Sequence, residues 1–191
     1  MSTVLTKLRT ADEFYDWTHR PENRDRLFEL EEGDVVEMSR PGIRHGVVCA
    51  NANGILWTYT RQVKKGYLCS NDAGLLLERD PDTVRGPDVF VYLESRKLNE
   101  LELKYSERMP KLIVEVLSPN DRMATVQKRI NAFLEKGVAM AWMLDPDERT
   151  VTIYLPNRLP IVIEEDEEVT GQGVLPDFRC KASDFFASAG E

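Results

Sequence analysis

The sequence has no apolar stretch of membrane length: its longest, residues 138–144, falls far short of the roughly 20 residues a spanning helix needs. The amino terminus MSTVLTKLRT also lacks the apolar segment of a secretory signal. The expectation is a cytoplasmic protein with no membrane partner. Cys49, Cys69 and Cys180 are odd in number, widely spaced and without a C-x-x-C pair. That argues against both a disulfide framework and a zinc site, leaving three small hydrophobes in a reducing compartment. With only two histidines, no serine, histidine and carboxylate stand in catalytic relation. Gly171-Gln172-Gly173 is a turn and not a phosphate loop, because no helix opening with Lys-Ser or Lys-Thr follows it. Repeats, low-complexity tracts and Gly/Ser/Pro linkers are missing as well, so residues 1–191 are expected to form a single domain. A basic excess is lacking too. The net charge of −8, part of it in the acidic turn 164–168, weighs against a polyanionic partner.

The 42% of apolar residues suffices for one sizeable core at this length. Thr10-Ala11-Asp12-Glu13 reads as the capped start of a short helix. Residues 26–38 alternate on either side of Glu32-Gly33-Asp34 and predict a β-hairpin. A helix is expected from 44 or 45 to about 63, then strands at 66–78, 88–93 and 112–117, with a polar connection over 94–109. A helix over 124–136 ends at Gly137, and strands at 140–144 and 151–155 flank the turn Asp145-Pro146-Asp147-Glu148. The order implies an α/β protein with a central mixed sheet flanked by helices and an N-terminal hairpin.

One residue breaks this pattern. Glu115 lies inside the run Leu112, Ile113, Val114, Val116, Leu117, which otherwise reads as a buried strand. An ionised carboxylate there costs several kcal/mol unless it is paired, hydrogen-bonded or bound to a metal. Alternation puts Ile113, Glu115 and Leu117 on one face and Leu112, Val114 and Val116 on the other. Asp88, after Gly86-Pro87, precedes the apolar run Val89 to Leu93. If these two strands are neighbours, Asp88 and Glu115 converge, a pairing suited to a hard cation such as Mg²⁺ or Mn²⁺.

The strings GPDVFVYL, PKLIVEVLSPNDR and KRINAFLEKGVAMAWMLDP resemble the Uma-two family of endonucleases, within the restriction-endonuclease-like PD-(D/E)xK superfamily. FELEEGDVVEM, RHG and GQGVLPDFRCKASDFF extend the resemblance over about residues 11–187. It implies a restriction-endonuclease-like core and a Mg²⁺ or Mn²⁺ ion held by Asp88 and Glu115, with Glu29 completing the site. The implied activity is hydrolysis of DNA phosphodiester bonds, the ion activating water while a lysine assists.

The superfamily pattern ends in ExK, yet this strand reads Glu115-Val116-Leu117. The resemblance implies a lysine displaced into the following helix, eight residues before its closing glycine. That position is Arg129, and Lys128 precedes it. At about 100° per residue, Val126, Ile130, Phe133 and Leu134 define the core-facing arc, with Arg129 on its border and Lys128 facing solvent. Three alternatives stay open: Arg129 supplies the electrostatic role, the helix is rotated so that Lys128 enters, or hydrolysis is impaired.

His45, in RHG at a helix start, is a candidate for phosphate or metal-bound water, against a structural role. Ser118-Pro119-Asn120-Asp121 is expected to turn the chain from strand to helix, and Trp142 and Asp145 to pack and to end a strand. Edge strands near the C-terminus suggest a homodimer. Beside the nuclease stand a binding module that has lost a productive site, and a scaffold in which Arg122 or Arg129 satisfies Glu115.

Overall fold

A computed structural model describes residues 4–8, 10–119 and 121–188 of the chain. In order these form β1 (Val4–Lys7), α1 (Ala11–Thr18), β2 (Leu27–Glu31), β3 (Asp34–Met38), α2 (Ile43–Gln62), β4 (Tyr67–Ser70), β5 (Leu75–Glu78), β6 (Thr83–Arg85) and β7 (Val89–Tyr92). After a short 3-10 turn at Leu98–Glu100 come β8 (Leu112–Val116), α3 (Met123–Glu135), β9 (Met140–Asp145), β10 (Thr150–Tyr154), β11 (Ile161–Ile163), β12 (Glu168–Thr170), β13 (Arg179–Lys181) and α4 (Ser183–Phe186).

The strands make a six-stranded sheet in the order β11-β10-β9-β8-β7-β4, a five-stranded sheet in the order β1-β3-β2-β6-β5, and the pair β12-β13. In the six-stranded sheet only β8 and β9 run parallel, because α3 carries the chain from one to the other, whereas the remaining neighbours are antiparallel. Its mixed character and flanking helices match the sequence expectation.

Alternation along β8 divides the core. Leu112, Val114 and Val116 pack with Val48, Ala52, Leu56 and Tyr59 of α2 on one face. Ile113 packs with Val126, Ile130 and Phe133 of α3 on the other. Glu115 shares Ile113's parity and so faces α3.

Local chemistry accounts for the ends of several elements. The Thr10 hydroxyl accepts from Glu13 N–H at 3.2 Å and Glu13 accepts from Thr10 N–H at 3.1 Å, closing a capping box on α1. Glu32 and Gly33, at φ 48° and 82°, form the two-residue turn between β2 and β3, where both central residues must be left-handed.

One expected strand is two. Residues 66–78 divide into β4, which pairs with β7, and β5, which pairs with β6 in the other sheet. Asn71 and Asp72, at φ 61° and 54°, take the chain out of one sheet and toward the next. The strands β1, β6, β11, β12 and β13 were not anticipated; each has four residues or fewer, too few for a period to register. Of the expected turn 118–121, Asn120 lies outside the described residues, while Ser118 N–H donates to Asp121 Oδ2 at 2.8 Å. Trp142 is fully buried, and Asp145 Oδ1 accepts from Asp147 N–H and Glu148 N–H, as a strand-ending turn requires. Among the described residues no helix is long and apolar enough to cross a membrane.

Candidate metal and nuclease site

The chain passes from the five-stranded to the six-stranded sheet at Gly86-Pro87-Asp88, and the candidate residues gather at that passage. Val89 pairs with Val114 and Phe90 with Ile113, so continuing the register by one residue sets Asp88 opposite Glu115. Asp88 Oδ2 accepts from Val116 N–H at 2.7 Å, which fixes the carboxylate at the end of β8. The two strands are neighbours, as the convergence of Asp88 and Glu115 required.

Glu115 is 8% exposed, and its partner among the described residues is a side chain of the protein. Arg129 projects from α3 and donates Nε–H to Glu115 Oε1 at 2.9 Å, Nη1–H to Glu29 Oε2 at 2.8 Å and Nη2–H to the Gly86 carbonyl at 2.7 Å. Glu29, on β2, also accepts from Gly86 N–H through Oε1 at 3.1 Å and lies 3.5 Å from Arg85. Arg129 thus joins a strand of each sheet to the backbone between them. This planar fork suits several fixed acceptors better than an ammonium would. Of the three alternatives, rotation of the helix is excluded: Lys128 is exposed on the outer side of α3 and does not reach the site. Arg122, the other arginine considered, stands exposed at the start of α3.

On the other side of Asp88 stands α2. His45 is buried near the start of that helix, its Nε2 3.3 Å from Asp88 Oδ1 and its Nδ1 3.4 Å from the Cys49 sulfur one turn on. With Nε2 protonated toward Asp88, Nδ1 is left to accept from the thiol; the partners on either side select that tautomer. The His45, Cys49 and Asp88 ligand atoms lie within 4.8 Å of one another. Cys49 thus touches His45 as well as packing against the core. The sequence signal for it was its spacing of four from His45 on one helix, which juxtaposes the two side chains.

Asp72 was also missed. Its backbone is pressed against Gly86, where an added Cβ would stand 2.4 Å from the Asp72 carbonyl oxygen and 2.8 Å from its Cα. Only glycine allows this approach.

The electrostatics report a site short of positive charge. Burial pushes Glu115 up to about 7, Arg129 opposing and Asp88 adding to the rise. Partial desolvation and then the charge of Asp88 raise Asp72, against the pull of Arg129. For His45, burial favours the neutral ring, but the hydrogen bond and charge of Asp88, with Asp72 and Asp121, outweigh it and raise the pKa. Burial first, then Asp88, Asp72 and Glu115, also hold the Cys49 thiol well above its ordinary range. Arg129 stays protonated: burial works against its charge, and Glu115 and Glu29 more than compensate.

The donor chemistry suits a divalent cation. Glu29, Asp72, Asp88 and Glu115 bring four carboxylates, and Arg129 is the guanidinium set among them, while Arg85 is shared with Glu31. One cation does not neutralise this set. Arg129 engages Glu115 through Oε1, and the remaining carboxylate oxygens are hard donors of the kind Mg²⁺ and Mn²⁺ take.

Comparison with known proteins agrees with the architecture. A crystal structure described as "a putative nuclease belonging to DUF820" from Anabaena variabilis ATCC 29413 superposes with a TM-score of 0.76 at 24% identity, covering 93% of this chain and 97% of the other. No curated protein matches the sequence. The Uma2 family, described as "Putative restriction endonuclease", matches residues 11–183. The split sheets, the PD aspartate, the strand glutamate and the buried arginine thus belong to a chain of the Uma2 family.

Proposed function

We propose that this protein is a metal-dependent endonuclease that hydrolyses DNA phosphodiester bonds, with Asp88 and Glu115 holding a Mg²⁺ or Mn²⁺ ion. The observation that carries this reading is the juxtaposition of Asp88 and Glu115 across β7 and β8, in a cluster whose carboxylates exceed its buried cations. When bound, the ion lowers the pKa of a coordinated water and draws charge from the scissile phosphate.

The chain's own residues position and hold. Asp88 is aimed by the Val116 amide on one oxygen and by His45 on the other, so its direction is set before any ion arrives. Arg129 takes the place that the resemblance gives to a lysine. It does not act as a general base, because its guanidinium keeps its protons. It holds Glu115 and Glu29 at fixed separation and leaves Glu115 able to turn Oε2 to an ion. Glu29, expected as a third ligand, accepts from Gly86 and Arg129 and braces Glu115 through that arginine. Lys128 has no part in the reaction. Two copies would set two such sites on a duplex, and the open edge strand β11 is where a second copy would add.

A second reading rests on the same arginine. If the transition state needs a neutral amine in that position, the protein is a nuclease-fold binding or regulatory module. Cleavage of supercoiled plasmid and of a labelled single strand in Mg²⁺ or Mn²⁺, beside Glu115→Gln prepared identically, separates them. The nuclease reading expects metal-dependent nicking in the wild type, reduced a hundredfold or more in the variant (about 3 kcal/mol of barrier). Equal activity in both, or none in either, would overturn it.

A further inference from the structure

We propose that His45, Cys49 and Asp88 form a site for a thiophilic divalent cation, of which Zn²⁺ is the type, and that such an ion takes Asp88 away from the Mg²⁺ or Mn²⁺ site. The second half of this statement rests on the metal-dependent reading above; the first does not.

Three kinds of donor meet here. An imidazole nitrogen, a thiol sulfur and a carboxylate oxygen lie within 4.8 Å of one another, and the sulfur and the carboxylate each approach the ring to 3.4 and 3.3 Å. Zinc bonds of about 2.0–2.3 Å to such donors put tetrahedral ligands on the order of 3.3–3.7 Å apart. The cluster therefore needs a contraction of about 1 Å at its longest edge. It also needs the His45 ring to turn, because at present its two nitrogens face different partners. Sulfur and nitrogen select Zn²⁺, Cd²⁺ or Co²⁺ over Mg²⁺, whereas the neighbouring all-oxygen carboxylates also accept Mg²⁺ or Mn²⁺.

The scaffold is prepared for ligation. His45 and Cys49 lie one turn apart on α2, packed against the six-stranded sheet through Val48 and Ala52, while Asp88 is tied to β8 by the Val116 amide. The His45 and Asp88 side chains are 10% and 15% exposed, so water competes weakly. Three protein ligands leave a fourth position open, the arrangement of an accessible zinc site. On binding, the Cys49 S–H bond breaks, its proton leaves to solvent, and the sulfur lone pair goes to the ion; no oxidant or reductant takes part. A dication on Asp88 draws on its charge and repels a second dication at the same carboxylate. Occupation by zinc therefore inhibits.

Cobalt(II) alone is the probe, added to the intact protein without DNA. The expected result is a near-ultraviolet thiolate-to-cobalt charge-transfer band in the wild type, displaced by Zn²⁺, absent in Cys49→Ser, with cobalt affinity reduced about tenfold or more. Identical spectra without that band in both proteins would overturn the proposal. A measurement without a variant guards against misfolding. Zn²⁺ should slow alkylation of Cys49, mapped by peptide mass, more than that of Cys69 or Cys180, and equal protection of all three would also refute the site. In Mg²⁺-supported cleavage, half-inhibition of the wild type should need about tenfold less Zn²⁺ than that of Cys49→Ser, each against its own uninhibited rate. A thiolate band in a protein that never cleaves DNA would sustain the cation site while the nuclease reading fails; cleavage without the band would do the opposite.

Discussion

Arg129 decides the character of the site, because it converts a set of mutually repelling carboxylates into a structure that can exist without an ion. Removing one partner of a buried pair of this kind typically costs about 3–5 kcal/mol, since the other charge is left stranded. The compensation is incomplete, and the residual repulsion is visible as proton affinity. Glu115 ordinarily titrates at 4.5 and here at about 7, so in metal-free protein the folded state holds a proton that the unfolded chain has already released. Stability contributed by that proton is complete below about pH 4.5 and is lost as pH rises toward 7. His45, also raised, acts in the same direction, its contribution present below its ordinary 6.5 and lost as pH rises through the folded value. In chelator, the melting temperature should therefore fall between pH 5 and pH 8, and Glu115→Gln should flatten the dependence. A melting temperature that rises over this interval would contradict the charge balance described here.

At the scale of elements, the passage 86–88 and the loop 71–74 act as one unit. Gly86 donates to Glu29, accepts from Arg129 and lies flat against Asp72, so the site tolerates no side chain there. Gly86→Ala should lower stability by about 1–3 kcal/mol, the range for forced overpacking, and should weaken Mn²⁺ binding as well. Gly54→Ala, where a Cβ meets nothing within 4 Å, is the control for the change in composition, and calorimetry with Mn²⁺ titration reads both. Equal effects at the two glycines would remove Gly86 from the site.

Much of this unit was legible in advance. The alternation of β8 placed Glu115 on the correct face, and the helical arc of α3 put Arg129 at the edge of the core and Lys128 outside it. The identity of Glu115's partner was not legible, because a buried carboxylate demands a positive charge without specifying whether arginine or a metal supplies it. The turn residues Ser70-Asn71-Asp72-Ala73-Gly74 were in plain view, yet the apolar residues on either side suggested one strand. Turn chemistry outweighs hydrophobicity there. Cys49 has no second cysteine nearby in the sequence to mark it, and its neighbour in space is a histidine on its own helix.

Over the whole molecule, the formal charge of −8 opposes approach to a polyanion such as the DNA of the proposed reading. Divalent ions bound among the acidic residues reduce that repulsion at the point of contact, which makes the ion part of substrate recognition on the proposed reading. The site also takes its parts from two sheets: Glu29 from the five-stranded one, Glu115 from the six-stranded one, with Arg129 reaching both. An arrangement of this kind works as a clasp. Opening the smaller sheet would undo the site while the larger sheet stayed intact, and an ion that rewards the closed clasp must slow such openings throughout the smaller sheet. Amide protons of β2 and β6 far from any ligand atom would then exchange with deuterium more slowly in Mn²⁺ than in chelator, and metal occupancy could be read from strands that never touch the metal.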